Sequence, residues 1–202
     1  MNEQKVKIKL EKVQETLMLP LWARAQETKK KNPIVFDNFA KNLVDRIDYD
    51  FSKLETNPEM KNQQLQWNIR AHNFDTITKN FTSQNPNSAV INIGAGLDTA
   101  FQRIDDKKDI WINIDLPDAA ILRQKLIPDS EQETTIAKSV FDFSWINDIS
   151  SLTKDRSILF MAAGVLFYFS LSEIHLLFRK LTNAYPGAHF IFDAITSHWM
   201  IM

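Results

Sequence analysis

Two hydrophobic rhythms divide the chain. Up to about residue 85 the apolar positions recur at helical spacing; beyond it, short β-branched runs alternate with helical stretches. In the first part Pro20 suits the first turn of a helix, with Leu21, Ala25 and Thr28 on one face. Lys29, Lys30 and Lys31 then fall in its last turn, where cations favour the helix terminus, and Asn32-Pro33 stops it. The lysine run reads as a solvated helix end. Phe36, Phe39, Ala40, Leu43 and Ile47 predict a second helix over 36–47. Asn57 as N-cap and Pro58 at the first helical position open a third, which carries Leu65, Ile69, His72 and Ile77 towards Asn80.

After the polar break at 84–88 the pattern changes to strand, helix, strand. Runs at 89–93, 110–114 and 157–162 predict strands ending near Gly94, Asp115 and Gly164. A weaker run lies at 134–140, and a fifth at 188–192 ends in Asp193. Pro117 opens a helix that ends before Pro128. Ser170-Leu171-Ser172-Glu173 forms a capping box for another, with Ile174, Leu177, Phe178 and Leu181 facing inward. This order implies an α/β fold, a parallel sheet covered by helices. We therefore expect residues 1–85 to form a helical lid on a sheet domain spanning 86–202.

Composition narrows the function. The chain has 202 residues, 44% of them hydrophobic, enough for one sizeable core. Lys+Arg total 24 against Asp+Glu 25, a balance that argues against nucleic acid as partner. There is no cysteine, so disulfides, thiolate metal sites and Cys nucleophiles are all removed. His72, His175, His189 and His198 lack metal-ligand spacing, and no metal is expected. No apolar leader is visible, and the longest greasy run, 158–171, is too short to span a bilayer. A soluble cytoplasmic protein without a membrane partner follows as the expectation.

Glycine is scarce: about 14 would be average for this length, and the chain has four, Gly94, Gly96, Gly164 and Gly187. Two of them close the first strand, in Gly94-Ala95-Gly96-Leu97-Asp98-Thr99. There the backbone can turn tightly and approach a ligand, with N–H groups of the next helix nearby. Asp115, 21 residues after Gly94, ends the second strand, where a carboxylate can accept from both hydroxyls of a ribose. S-adenosylmethionine (SAM) and NAD both carry that diol. The third glycine of the dinucleotide fingerprint is missing, which favours the phosphate-free SAM. A tight turn followed by a helix-capping Asp115 is the plain structural alternative.

Gly94 to Thr99, Asp115-Leu116-Pro117 and Ala163-Gly164-Val165-Leu166-Phe167-Tyr168 together resemble the leucine carboxyl methyltransferase and polyketide carboxyl O-methyltransferase family. The likeness extends from about Thr16 to Asp193. It includes Arg24-Ala25, Arg70, Phe141-Asp142-Phe143-Ser144-Trp145 and Tyr185-Pro186-Gly187. It implies a Rossmann-like class I methyltransferase sheet with SAM as cofactor, held by Arg70, Gly94, Ala95, Gly96, Asp115, Leu116, Asp142, Phe143 and Ala163. Within that set Arg70 would hold the methionine carboxylate, Asp115 the ribose, and Asp142 the adenine amino group beside Phe143. The implied reaction is methylation of a carboxylate, or a hydroxyl, on a small molecule.

A carboxylate acceptor is already ionised and needs no base, so alignment supplies much of the acceleration. The stretch 160–169 fits, having no Asp, Glu, His or Lys; Tyr168 is read as an orienting or packing residue. The acceptor would sit under a lid of Trp22, Phe36, Phe39 and Trp67. Three features depart from the family. Ala163 stands where many relatives have Glu, and Ala100 where many have Arg. The sequence also stops after the fifth strand, where the family adds an antiparallel hairpin. The fifth strand is then expected to be an edge, covered by a second copy or by the N-terminal helices. The rival readings are a SAM-binding protein without activity and an NAD-dependent oxidoreductase.

Overall fold

The computed structural model describes residues 6–7, 12–55, 57–104 and 109–194. Its first part consists of β1 (Val6–Lys7), α1 (Lys12–Thr28), α2 (Asn38–Arg46), β2 (Ile47–Asp48), α3 (Ser52–Glu55) and α4 (Pro58–Gln84). β1 and β2 pair as a short parallel ribbon. The second part alternates β3 (Ala89–Ile93), α5 (Ala100–Ile104), β4 (Ile110–Asp115), α6 (Pro117–Leu126) and β5 (Glu133–Ala137). There follow α7 (Trp145–Asp148), α8 (Ser150–Thr153), β6 (Ile158–Ala162), a one-turn 3-10 helix at Leu166–Tyr168, α9 (Leu171–Ala184) and β7 (His189–Phe192).

β3 to β7 form one parallel sheet in the order β5-β4-β3-β6-β7. Strand order reverses between β3 and β6, and it is at such a reversal that an α/β sheet opens a crevice beyond its carboxyl ends. β3 and β6 are buried at every position, as expected of central strands covered on both faces. On one face Ile91, Ile112 and Phe160 meet Trp145, Leu177 and Leu181. On the other, Val90, Trp111 and Met161 meet Phe74 of α4 and Ala100 of α5. Met18, Leu21 and Leu43 of the N-terminal helices share a third cluster with Leu97, Leu122 and Leu126. The helical part is thus docked through apolar side chains onto both the first glycine loop and α6.

The capping signals hold. The Asn57 side chain accepts from the Glu59 N–H with Pro58 in the first turn, and Ser170 and Glu173 form a reciprocal capping box. Other expectations are corrected. Pro20 lies inside α1, not at its start. An interior proline removes one helical hydrogen bond, but Met18, Leu21, Trp22 and Ala23 around it are all at most 3% exposed, and that burial carries the helix through. The three lysines fall after the helix, which has no basic residue in its last turn. α2 begins at Asn38, because Asp37 caps it by accepting from the Ala40 N–H.

The largest revision concerns α4. Its apolar stripe Leu65, Ile69 and Ile77 is exposed, while Asn68, Phe74, Asp75, Thr78, Phe81 and Thr82 face inward. The apolar stripe does not mark the buried face because, besides the apolar contacts of Phe74, α4 covers polar partners. Asn68 donates to the Ala23 carbonyl and to Glu27, and Asp75 accepts from Arg103. β5 ends at Ala137, three residues short of its predicted end. Among the described residues β7 has no strand on its outer side, and Phe192 is exposed there. Phe190 of the same strand packs between Phe178 and Phe160, at 4.9 and 5.9 Å between ring centroids. His198 and the rest of 195–202 lie outside the described residues. No helix of the described residues is long and apolar enough to cross a membrane.

Candidate active site

Two glycines shape the loop after β3. Gly94 and Gly96 have φ of +64° and +49°, the left-handed region that side chains disfavour. Neither has room for a Cβ: one would lie 2.5 Å from Val165 Cγ2, the other 2.9 Å from Leu17 Cδ2. The glycines therefore let the loop touch α1 and the segment after β6 directly. Gly94 N–H extends the sheet ladder to the Ile114 carbonyl, 2.8 Å away. Gly96 N–H points to Asp115 Oδ2 at 2.6 Å, and Asp115 Oδ1 accepts from the Leu116 N–H at 2.8 Å. Burial pushes the Asp115 carboxyl above its ordinary value, outweighing those N–H bonds and the pull of Arg123.

The loop's carbonyls are held from behind. Arg123 Nη1 donates to the carbonyls of Gly96 and Asp98 at 3.0 and 2.6 Å, while its Nη2 pairs with buried Glu133 at 2.6 Å. Arg24 Nη2 takes the Leu97 carbonyl at 3.0 Å. Behind Arg24 lies a charge network centred on fully buried Asp37. Asp37 accepts from Arg24 Nε (2.9 Å), Arg103 Nη1 (3.0 Å), the Ala40 N–H (2.7 Å) and the Thr99 hydroxyl. Arg103 also grips both oxygens of Asp75, at 2.7 and 2.8 Å, and Asp98 at 3.2 Å. Burial raises the carboxyls of Asp37 and Asp98, yet the arginines more than offset it and hold both below the usual range. Periodicity does not reveal this network, because its members come from α1, α2, α4, α5 and the loop. Charged residues at inward helical positions were the available signal.

Between the loop and the N-terminal helices lies a cavity of about 650 Å³. Small-molecule sites run roughly 300–1,000 Å³. Of the residues singled out from the sequence, it is lined by Arg70, Gly94, Ala95, Gly96, Asp115, Leu116, Ala163 and Tyr168. Asp142 and Phe143 are not among its lining residues. Asp142 is exposed and accepts from the backbone and hydroxyl of Ser144, which lowers its pKa; Lys180 lies over Phe143, 5.5 Å from its centroid. Ser139 and Val140 line that end instead. Of the expected lid only Trp67 faces the cavity. Trp22 is buried in the protein, Phe39 packs in the core, and Phe36 is 66% exposed. Leu17, Leu19, Pro20, Phe74, Phe167 and Phe169 make up the apolar wall that sequence reading missed.

Residues 18–182 match the family model for leucine carboxyl methyltransferase. The chain belongs to that family. Its enzyme class is SAM-dependent methyltransferase and its cofactor is SAM. Two curated relatives agree. The tetracenomycin polyketide synthesis O-methyltransferase TcmP of Streptomyces glaucescens is 30% identical over 189 residues, 93% of this chain and 68% of that protein. The SAM-dependent methyltransferase dpfgK of Gibberella zeae is 27% identical over 192 residues, covering 89% and 63%. The family member described here thus spans about two thirds of the length of either. Among solved structures, the N-methyltransferase NodS of Bradyrhizobium japonicum is 15% identical with a TM-score of 0.47, covering 65% of this chain and 72% of that one. Human N-acetylserotonin methyltransferase in complex with SAM is 14% identical with a TM-score of 0.47, covering 90% and 50%.

The cavity suits this cofactor on its own geometry. Asp115 lines it at the end of β4, with two N–H groups orienting its carboxylate and lone pairs left for a diol. Arg70 lines it as well, against Gly164. Ile114, Val140 and Val165 supply apolar walls for a base.

Proposed function

We propose that this protein methylates an oxygen, most readily a carboxylate, of a small apolar molecule bound beside the cofactor. The observation that carries the reading is the chemistry of the cavity lining: Arg70, Asp115 and the glycine loop together with the apolar side chains of Trp67, Phe74, Phe167 and Phe169. Among the described residues the lining contains no His, Lys or Glu, and its two aspartates are engaged, Asp98 by Arg103 and Asp115 by the Gly96 and Leu116 N–H groups. An acceptor that must lose a proton in the reaction would want a base there; a carboxylate does not.

Bound SAM supplies an activated methyl group on a sulfonium. The protein's part is to align and enclose. Gly94, Ala95 and Gly96 bring backbone against the ligand, and Asp115 fixes the sugar. Asp142 and Phe143 are proposed for the adenine end, where the turn they occupy follows Ser139 and Val140. Tyr168, two-thirds exposed at the cavity mouth, orients the acceptor or closes over it. Residues 1–85 act as a helical lid on the sheet domain of 86–202, and the outer edge of β7, which has no strand partner among the described residues, is where a second copy would pair.

Calorimetric titration with SAM, S-adenosylhomocysteine and NAD, followed by a radiolabelled methyl assay over matched carboxylic acids and alcohols, tests this. SAM binding with transfer to an acid is the expected outcome. Tight NAD binding without SAM binding would overturn the cofactor assignment, and transfer to alcohols alone would overturn the acceptor.

A further inference from the structure

SAM ends in a zwitterion whose carboxylate and ammonium are joined through a single carbon. Its binding partners must therefore be neighbours of opposite charge. Arg70 lines the cavity, and its Nη1 donates to Asp193 Oδ2 at 3.1 Å. The two side chains are 22% and 27% exposed; Asp193 stands just behind the cavity wall, in contact with Arg70 and Gly164, which line it. Asp193 directly follows β7, and its other oxygen accepts the Gly164 N–H at 2.7 Å. Gly164 sits at φ +79°, and a Cβ there would stand 2.7 Å from Arg70 Nη1. The guanidinium thus rests on bare backbone, with the carboxylate beside it.

The cavity's own acids are committed elsewhere. Asp115 is oriented by the Gly96 and Leu116 N–H groups, and Asp98 is held by Arg103. Ala163, next to the pair, has no side-chain acceptor. Asp193 is the carboxylate in contact with Arg70.

We propose that Asp193 receives the α-ammonium of the cofactor while Arg70 takes its carboxylate, so that the ion pair opens into a two-charge clamp. This rests on the cofactor reading of the cavity given above. Without ligand the two groups neutralise each other. On binding, one ion pair is exchanged for two, with no change of net charge in the clamp. The contribution of Asp193 is then specific to the ammonium. A ligand without the ammonium gains nothing from Asp193, and one that keeps the carboxylate must compete with Asp193 for Arg70.

The test uses isothermal titration of the full chain and of Asp193→Asn with three probes. These are S-adenosylhomocysteine, its desamino analogue, and 5′-methylthioadenosine, which lacks the amino-acid end. The substitution is expected to weaken S-adenosylhomocysteine by about 10- to 100-fold, as for one charged hydrogen bond, to leave 5′-methylthioadenosine within about twofold, and to leave the desamino analogue unweakened or tighter, since its carboxylate no longer competes with Asp193. The unsubstituted chain must itself prefer S-adenosylhomocysteine to the desamino analogue by about tenfold or more. This measurement decides the matter even if the variant fails to fold. Equal affinities, or equal losses of both in Asp193→Asn, would overturn the proposal and leave Asp193 as a support for Arg70. Failure of the unsubstituted chain to bind any of the three probes would instead strike the cofactor reading itself.

Discussion

Asp37 is the point at which the N-terminal helices and the cofactor loop are held together, and its removal has a calculable cost. Asp37→Ala deletes the acceptor for Arg24, Arg103, Thr99 and the Ala40 N–H at once. Four charged hydrogen bonds at about 1.5–3 kcal/mol each would sum to about 6–12 kcal/mol, comparable to the whole stability of a domain. The arginines keep other partners, however: Arg103 retains Asp75 and Asp98, and Arg24 retains the Leu97 carbonyl. The net loss is therefore that of breaking one buried ion pair, about 3–5 kcal/mol. For a chain of this size, each kcal/mol moves the melting point by about 2–4 °C. The expected fall is about 6–20 °C, read by circular dichroism. Asp37→Asn, which keeps an acceptor for the helix cap but loses the charge, should lie between parent and Asp37→Ala. A melting point for Asp37→Ala within about 2 °C of the parent would refute the argument.

Three further outcomes follow from the same geometry. Asp115→Ala should weaken S-adenosylhomocysteine by about 2–4 kcal/mol, roughly 30- to 900-fold in titration calorimetry; unchanged affinity would mean the ligand sits elsewhere. Gly94→Ala adds left-handed strain of about 1–2 kcal/mol and a clash worth about 1–3 kcal/mol. Gly187→Ala, at φ +83° with nothing within 4 Å, adds the strain alone. Urea unfolding should rank the two in that order. In acid, the folded pKa values of Asp37 and Asp98 lie below the ordinary 3.8, so the stability they confer is present above that value and lost as pH falls below it. Asp115 is shifted the other way, so cofactor affinity should begin to fall at a higher pH than stability does. Parallel pH series of melting and binding check this, and coincident transitions would contradict it.

The sheet was legible because its strands are short β-branched runs punctuated by Gly94, Asp115 and Gly164, residues with a positional reason to be where they are. The caps at Asn57 and Ser170 were legible for the same reason: each supplies an acceptor at a fixed offset from the helix it starts. Reading failed where burial and hydrophobicity part company. α4 buries Asn68, Asp75 and Thr78 and exposes Leu65, Ile69 and Ile77, so its apolar stripe marks the outside. Pro20 misled in a similar way, because local helix rules yield to a flank of fully buried neighbours. At the site, Gly94, Gly96, Asp115 and Arg70 converge as the sequence suggested, being tied to strand ends and one helix face. The apolar wall was out of reach: Trp22, Phe36 and Trp67 look alike in a sequence, and only packing separates the core residue, the surface residue and the one that faces the cavity.

The polar core explains how the N-terminal helices dock although α1 and α4 show so little apolar periodicity. In the glycine loop, the N–H of Gly96 turns towards Asp115, and the carbonyls of residues 96, 97 and 98 turn away towards Arg123 and Arg24. Each arginine is in turn fixed by a buried acid, Glu133 on one side and Asp37 on the other. Arg123 belongs to α6 and Arg24 to α1, so the loop is gripped by one helix from each part of the chain. Leaving any of these charges unpaired in the interior would cost several kcal/mol. The N-terminal helices can therefore dock in essentially one register relative to the loop, even though van der Waals packing alone would tolerate several. That single register sets Arg70 of α4 beside Gly164, in the wall of the cavity that Asp115 also lines. The relative placement of the two groups proposed to hold the cofactor thus depends on the ion pairs that fix the loop, Arg24 with Asp37 and Arg123 with Glu133.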